Sequence, residues 1–110
     1  VFARMSTDEI NSFFKGCGWK PYYVEGKDLE YMHQKMAYML DKCIEEIKNI
    51  QDNARNNNNL ERPIWPMIIL RTPKGWTEPK EVDNKQIEGS FRAHQVPIVI
   101  DNNEKKKIKY

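Results

Sequence analysis

Residues 67–70, MIIL, form an uninterrupted apolar run that decides how the chain is expected to fold. A strand with one face in water alternates apolar and polar residues, whereas a continuous apolar run is typical of a parallel strand covered on both faces. Aromatic and β-branched residues are concentrated in a second run at 19–24. We therefore predict parallel strands at about 19–24 and about 66–71.

The segment between these strands has the spacing of a long amphipathic helix, which we predict over about 28–53. Asp28 can cap its first turn, and apolar residues recur at three- and four-residue steps. These positions are Leu29, Met32, Met36, Met39, Leu40, Cys43, Ile44, Ile47 and Ile50. A strand, a crossover helix and a second strand form a βαβ unit, whose crossover is right-handed in nearly all proteins. The predicted fold class is therefore α/β with a parallel sheet.

A shorter helix is predicted ahead of the first strand, over about 6–16. Ser6 and Glu9 have the spacing of a capping box, in which each side chain can accept a hydrogen bond from the other residue's amide. Gly16 and Gly18 follow the apolar positions and are expected to end the helix.

Two strands alone do not make a stable sheet that is covered on both faces. The predicted sheet therefore needs neighbours, so the chain either oligomerises or is a piece of a larger protein. The missing neighbours suggest an alternative function. The chain would be a non-catalytic remnant, or an interaction module that self-associates through its exposed strand edges.

The composition excludes several classes of protein. The chain has 110 residues and a formal net charge of +2, too small a charge to recruit nucleic acid or an anionic membrane. The lysine-rich tail at 98–110 would bind nucleic acid only with a steep salt dependence, and a solvated tail is the simpler interpretation. Cys17 and Cys43 lack metal-ligand spacing and are expected to be small hydrophobes, Cys43 on the apolar stripe of the long helix. We predict a single partial domain over 1–110 in a soluble cytoplasmic protein.

The segment at 72–97 has neither helical nor strand periodicity and is predicted to be a long loop of the active-site type. Loops longer than about 12–15 residues are usually functional or disordered. Trp76 and Phe91 make disorder the poorer interpretation, because large aromatic side chains can anchor a loop. Ligands of open α/β sheets bind outside the carboxyl ends of the strands, where this loop begins.

The loop contains the residue types that an anionic ligand requires. Lys74 stands beside Gly75, where backbone can approach a ligand closely, and Lys80 and Arg92 add positive charge. His94 is the residue best suited to proton transfer near neutral pH. A solvated loop is the alternative interpretation of the same composition.

Residues 65–97, WPMIILRTPKGWTEPKEVDNKQIEGSFRAHQVP, closely resemble the phosphoketolases, thiamine-diphosphate enzymes that act on xylulose 5-phosphate and fructose 6-phosphate. FARMSTDEINSFFKGCGWKPYYVEG at 2–26 and MHQKMAYMLDKCIEEIKNIQ at 32–51 are similar to the stretch that precedes it in that family. The resemblance covers about residues 1–100. It implies a fragment of a transketolase-like fold, from the N-terminal domain that holds the diphosphate of the cofactor.

The resemblance also implies the site residues. The family's active site includes a lysine in the lysine-glycine-tryptophan motif and a histidine in the arginine-alanine-histidine-glutamine motif, which match Lys74 and His94. His94 is expected to move protons and bind the cofactor, and Lys74 to stabilise an anionic intermediate. Gly75 and Gln95 are expected to support cofactor binding. The intact enzyme would cleave a ketose phosphate with inorganic phosphate to acetyl phosphate and an aldose phosphate, as a homodimer or higher oligomer.

The sequence also departs from the family. It lacks the motif of acidic residues and asparagine that binds magnesium and diphosphate, and the glutamate that activates the aminopyrimidine. We therefore expect no metal site in this chain, and thiamine diphosphate with Mg²⁺ only in the intact enzyme. The chain is interpreted as a fragment that is inactive alone: a domain produced by itself, a proteolytic piece or the product of a truncated gene.

Overall fold

The computed structural model describes residues 2–95 and the backbone of residues 108–109. The chain divides into two compact units, unit 1 at Val1–Arg71 and unit 2 at Thr72–Tyr110. The predicted α/β class is confirmed, because unit 1 contains two parallel strands joined by a helix. A single partial domain over 1–110 stays a prediction.

Unit 1 contains two helices and two strands. In chain order these are α1 at Thr7–Gly16, β1 at Trp19–Glu25, α2 at Leu29–Asn56 and β2 at Trp65–Arg71, after a 3-10 turn at Phe2–Arg4. The strands pair in parallel, with Trp19 opposite Trp65 and Glu25 opposite Arg71. The βαβ unit predicted from the sequence is confirmed. Among the residues that the structure describes, no further strand pairs with β1 or β2.

Both helices of unit 1 begin at side-chain caps. The amide of Glu9 donates to Ser6 Oγ at 3.2 Å, and the amide of Ser6 donates to Glu9 Oε2 at 2.7 Å. The predicted capping box is therefore present. Asp28 caps α2 by accepting the amide of Tyr31 at 2.8 Å. Each cap satisfies an amide that has no partner within the first helical turn.

Helix α2 ends at Asn56, beyond the predicted end near residue 53. Asparagine is a poor helix former, which is why the sequence predicts an earlier end. The amide of Asn57 donates to the carbonyl of Asn53 at 3.2 Å, and its side-chain Nδ2 donates to Asn53 Oδ1 at 2.8 Å. Side-chain hydrogen bonds between residues one turn apart stabilise the extra turn, and single-residue propensity does not include them.

The core of unit 1 lies where the two helices pack on the two strands. Its buried side chains come from four elements: Ile10 from α1, Val24 from β1, Met32 and Cys43 from α2, and Pro66 from β2. The burial of Cys43 agrees with its predicted place on the apolar stripe of α2. Cys17 is exposed, because this residue caps the C-terminus of α1 where the chain turns away.

The apolar stripe of α2 is wider than the face that unit 1 covers. Leu29, Leu40 and Ile44 are 62%, 47% and 47% exposed, and form the exposed flank of α2. Leu70 of β2 is 51% exposed, so the strand predicted to be covered on both faces is covered incompletely within unit 1. Neither α2 nor any other helix in the described part of the chain combines the length and apolar character that a membrane crossing requires.

A charged cluster joins β1 to α2. The Tyr22 hydroxyl and the Lys20 ammonium group both donate to Glu46 Oε1, the lysine at 3.0 Å. Lys42 Nζ lies 4.6 Å from the centre of the Tyr22 ring, a cation–π contact. The hydrogen bond from Tyr22 is the main cause that lowers the pKa of Glu46 from its ordinary value.

We expect the unfolding free energy of the chain to fall at acid pH partly through Glu46. A carboxyl group whose pKa is lowered by folding stabilises the folded state above its unfolded pKa, and this contribution is lost as the pH falls through the folded pKa. The loss therefore begins near pH 4.5, the ordinary pKa of the group, and continues below it. Urea unfolding at about pH 7 and about pH 3, followed by circular dichroism, measures it.

The variant Tyr22→Phe should reduce the difference in unfolding free energy between the two pH values. Tyr23→Phe is the matched control, because the Tyr23 hydroxyl donates to Asn11 Oδ1 at 3.1 Å and touches no carboxylate in this bond. The same pH difference in the unmodified chain and in both variants would contradict the role of Tyr22.

Unit 2 is built on a short hairpin. β3 at Glu81–Val82 pairs antiparallel with β4 at Lys85–Gln86, and the backbone of β5 at Ile108–Lys109 also pairs antiparallel with β3. The turn residues Asp83 and Asn84 have φ of 51° and 59°, which is the left-handed pair that a type I′ hairpin turn requires.

The segment 72–97 was predicted to be a loop without regular structure, whereas the structure has a hairpin in it. Strands of two residues are too short to give an alternating pattern in the sequence. The same segment contains a 3-10 helix at Phe91–His94, and Val82 and Ile87 are buried. Residues 96–97, and the predicted tail at 98–110 apart from the backbone of 108–109, lie outside the described residues.

Candidate functional site

The lysine-glycine-tryptophan motif lies on two successive tight turns of unit 2. The amide of Trp76 donates to the carbonyl of Pro73 at 3.0 Å, and the amide of Glu78 donates to the carbonyl of Gly75 at 2.9 Å. Gly75 and Thr77 have φ of 71° and 78°. Glycine adopts this conformation readily, whereas a β-branched residue pays about 1–3 kcal/mol for it. The surroundings must therefore hold the turn in this shape.

The arginine-alanine-histidine motif lies on the helical turn Phe91–His94, which Ser90 fixes in place. Ser90 Oγ accepts the amide of Arg92 at 3.2 Å and donates to the carbonyl of Ile87 at 2.8 Å. The amide of Gln95 donates to the carbonyl of Arg92 at 3.0 Å and closes the turn. Because Ile87 is buried, the serine ties this turn to the interior of unit 2.

The two motifs touch at Gly75 and Ala93. A Cβ built on Gly75 would lie 2.7 Å from the Cβ of Ala93, which is too close for any side chain, so the approach requires glycine. The amide of Gly89 donates to the carbonyl of Lys74 at 2.7 Å. Lys74 and His94 are each the chain neighbour of a residue in this contact. The structure therefore brings together the backbone of the two motifs that the sequence singled out.

The residues predicted for the site differ in exposure. Lys74, His94 and Gln95 are exposed, and Gly75 is half-buried. An ammonium group and an imidazole beside one backbone contact can bind an anion and transfer a proton near neutral pH. Gly75 is part of the contact, Lys74 and His94 are chain neighbours of the two residues in it, and Gln95 lies just past the end of the helical turn. Their roles in catalysis and cofactor binding stay predictions.

Glu78 is a residue of this region that the sequence did not indicate. Its Oε2 atom is buried and has no hydrogen-bond partner among the described residues. A Cβ built on Gly75 would lie 3.4 Å from this oxygen, so the carboxyl group adjoins the contact between the motifs. A glutamate between threonine and proline in a polar segment is typical of a solvated loop, and no pattern in the sequence distinguishes it from one.

The charged groups of unit 2 suit an anion better than a metal ion. Within residues 2–95, no three His, Cys, Asp or Glu side chains are grouped so that they could hold a metal. The side chains of Lys74 and His94 donate hydrogen bonds that the oxygens of a diphosphate can accept. The described residues therefore fit part of the contact with a diphosphate and do not fit a Mg²⁺ site.

Comparison with known proteins agrees with the resemblance of residues 65–97. The family model described as the XFP N-terminal domain matches residues 1–110. The chain is 62% identical over 101 residues to the probable phosphoketolase of Clostridium acetobutylicum, and 56% identical over 103 residues to the probable phosphoketolase 2 of Lactiplantibacillus plantarum. It is 50% identical over 101 residues to the xylulose-5-phosphate phosphoketolase of Lactiplantibacillus pentosus. These alignments cover 92% to 94% of this chain and 13% of each relative.

The fold defines an α/β protein with a parallel βαβ unit, and its two motifs lie in contact within unit 2. The match over the whole chain gives its family: the chain belongs to the phosphoketolases and matches their N-terminal domain as a fragment. It spans 13% of the length of these relatives. The activity of a whole phosphoketolase is therefore a proposal for this chain.

Proposed function

We propose that this chain forms one wall of the active site of a thiamine-diphosphate-dependent phosphoketolase. The reaction is the phosphorolytic cleavage of xylulose 5-phosphate or fructose 6-phosphate to acetyl phosphate and an aldose phosphate. The observation that carries the proposal is the contact of Gly75 with Ala93, where a Cβ on the glycine would come within 2.7 Å. This contact joins the two motifs that bear Lys74 and His94, and membership of the family supplies the reaction.

His94 moves protons in this proposal and hydrogen-bonds oxygen atoms of the substrate or cofactor. Imidazole is the side chain best suited to both give and take protons near neutral pH. Lys74 stabilises negative charge on a phosphate or on a reacting oxygen. Gly75 lets backbone approach the ligand, and the side-chain amide of Gln95 offers both a donor and an acceptor.

Thiamine diphosphate, when bound, supplies the nucleophilic carbon that adds to the carbonyl of the ketose. Lys74 and His94 would contact its diphosphate or the substrate, and the Mg²⁺ ligands are assigned to other segments of the parent enzyme. That enzyme is proposed to be a cytoplasmic homodimer or higher oligomer. The chain alone is expected to be inactive, because the described residues contain no group that could hold the metal.

A graft tests this proposal, with the chain replacing the matching 101 residues of the Clostridium acetobutylicum relative. We expect the graft to form acetyl phosphate from fructose 6-phosphate and inorganic phosphate, and the chain alone to form none. His94→Ala and Lys74→Ala in the graft should each lower kcat by about 100-fold or more, because proton transfer and electrostatic stabilisation are each worth that much.

His33→Ala and Lys48→Ala are the matched controls, since both side chains are exposed on α2 in unit 1 and should leave kcat unchanged. Circular dichroism shows whether each graft is folded. A folded graft without acetyl phosphate formation would reject the proposed function. An unchanged kcat in His94→Ala would reject only the role of that histidine.

Self-association is a second candidate function, and the exposed flank of α2 is the observation that favours it. Leu29, Leu40 and Ile44 form an apolar surface of the kind that mediates contacts between proteins. Sedimentation of the chain at increasing concentration would then give a dimer, and Leu40→Lys combined with Ile44→Lys would abolish it. A monomer at every concentration would contradict this function.

A further inference from the structure

Glu78 carries a buried oxygen atom without a partner. Its Oε2 is closed off from solvent, and no group among the described residues hydrogen-bonds it. A buried carboxyl oxygen without a donor is costly, and native proteins satisfy nearly all such atoms. The oxygen therefore requires a donor that the arrangement of side chains seen here does not supply.

This oxygen lies at the contact that joins the two motifs of the site. A Cβ built on Gly75 would lie 3.4 Å from Glu78 Oε2 and 2.7 Å from the Cβ of Ala93. Ala93 belongs to the helical turn that ends at His94. The carboxyl group thus stands beside the element that carries the histidine.

His94 lacks the partner that an acid or base ordinarily has. Its side chain is exposed, and its imidazole makes no hydrogen bond or ion pair with any residue that the structure describes. A histidine that transfers protons is oriented, and kept in one tautomer, by an acceptor on its second ring nitrogen. A carboxylate often fills this role.

We propose that Glu78 is a positioning residue for His94. Its Oε2 accepts a hydrogen bond from one imidazole N–H, which leaves the other ring nitrogen for the ligand. The pair forms by rotation of the two side chains, and the contact of Gly75 with Ala93 stays as it is. This inference rests on the proposed function, because it assigns an orienting partner to the histidine of the same site.

The backbone next to Glu78 supports a specific placement of this carboxyl group. Thr77 precedes it with φ of 78°, a conformation that is unfavourable for a β-branched residue. Strained backbone of this kind is concentrated at functional sites, where the surrounding structure holds it.

The chain contains only two histidines, so the NMR signals of His94 and His33 can be measured separately. The 110-residue chain is labelled with ¹⁵N in its histidines, and the ring shifts at about pH 8, where an ordinary imidazole is neutral, report the tautomer ratio of each. We expect His94 to favour one tautomer by about tenfold or more, as a charge-assisted hydrogen bond implies. His33, exposed on α2, is the internal reference.

Three variants complete the experiment. Glu78→Ala should return the tautomer ratio of His94 to that of a free imidazole. Glu78→Gln, which keeps an acceptor oxygen without its charge, should give an intermediate ratio. Glu88→Ala is the matched control, because it removes another carboxylate of unit 2 and should leave the ratio unchanged. The backbone amide spectrum shows that each variant is folded, and Glu78→Gln preserves the test if the alanine variant unfolds.

The proposal is overturned if His94 has the same tautomer ratio in the unmodified chain, in Glu78→Gln and in any folded Glu78→Ala. This outcome is distinct from failure of the proposed function. A histidine that is not paired with Glu78 can still be required for acetyl phosphate formation by the graft. An inactive graft, in turn, would leave a measured pair between Glu78 and His94 in place.

Discussion

Replacing Gly75 with alanine is expected to destabilise unit 2 by about 2–5 kcal/mol and to lower kcat of the graft by about 100-fold or more. Two costs combine in this estimate. The φ of 71° costs any other L-residue about 1–2 kcal/mol, and the new Cβ would meet that of Ala93 at 2.7 Å, an overpacked contact that costs about 1–3 kcal/mol. The motifs must move apart to relieve the contact, and a displacement of about 1 Å can cost 100-fold in rate. Amide hydrogen exchange in unit 2 and the acetyl phosphate assay measure the two effects.

Two other glycines separate these costs. Gly89 has φ of 74°, but the nearest atom to an added Cβ is 3.9 Å away, so Gly89→Ala should show the backbone cost alone. Gly16 has open space around an added Cβ and no positive φ, so Gly16→Ala should be neutral or slightly stabilising. The double variant Gly75→Ala, Ala93→Gly should recover part of the loss. If Gly75→Ala costs no more than Gly89→Ala, the close contact is refuted.

Replacing Met32 with alanine is expected to lower the unfolding free energy of unit 1 by about 2–5 kcal/mol. Met32 is 2% exposed, and its Sδ would lie 3.0 Å from a Cβ on Gly26, so it fills the space beneath the turn that follows β1. Alanine lacks the atoms that make these contacts and leaves a cavity, which lowers the stability of the folded state. A small domain is stable by about 5–15 kcal/mol in total, so the loss is a large fraction of its stability. Urea unfolding followed by circular dichroism measures it.

Substitutions on the same helix serve as controls for Met32→Ala. Met32→Leu keeps the volume and should cost less than about 1.5 kcal/mol. Leu40→Ala removes a side chain on the exposed flank of α2 and should change stability by about 0.5 kcal/mol or less. A loss in Met32→Ala no larger than that in Leu40→Ala would place the core elsewhere.

The long elements of the fold could be predicted from the sequence because their patterns repeat. In helix α2, apolar residues recur every three or four positions over many turns. The segments that form β1 and β2 are short runs rich in strand-forming residues. The hairpin at 81–86 could not be predicted in this way, since each of its strands has two residues. Its one local signal was the pair Asp83 and Asn84, residues that tolerate the left-handed conformation of a type I′ turn.

The candidate site could be predicted only in part. The composition of the loop made Lys74 and His94 candidates for an anion site. Their roles in one active site came from the resemblance to a family, because nothing in their spacing joins them. The contact of Gly75 with Ala93 depends on how two turns pack in three dimensions, which a pattern of single residues does not contain. The residues around Glu78 have the composition of a solvated loop. Only the buried Oε2 atom distinguishes Glu78 from an ordinary loop residue.

The positions of the three tryptophans give each unit an optical signal of its own. Trp19 and Trp65 are opposite one another at the first pair of the β1 and β2 ladder, whereas Trp76 belongs to the turns of unit 2. In the double variant Trp19→Phe, Trp65→Phe, the fluorescence emission arises from Trp76 alone, and in Trp76→Phe it arises from unit 1. Melting curves of the two proteins would coincide if the units unfold as one cooperative body, and would separate if each unit melts at its own temperature.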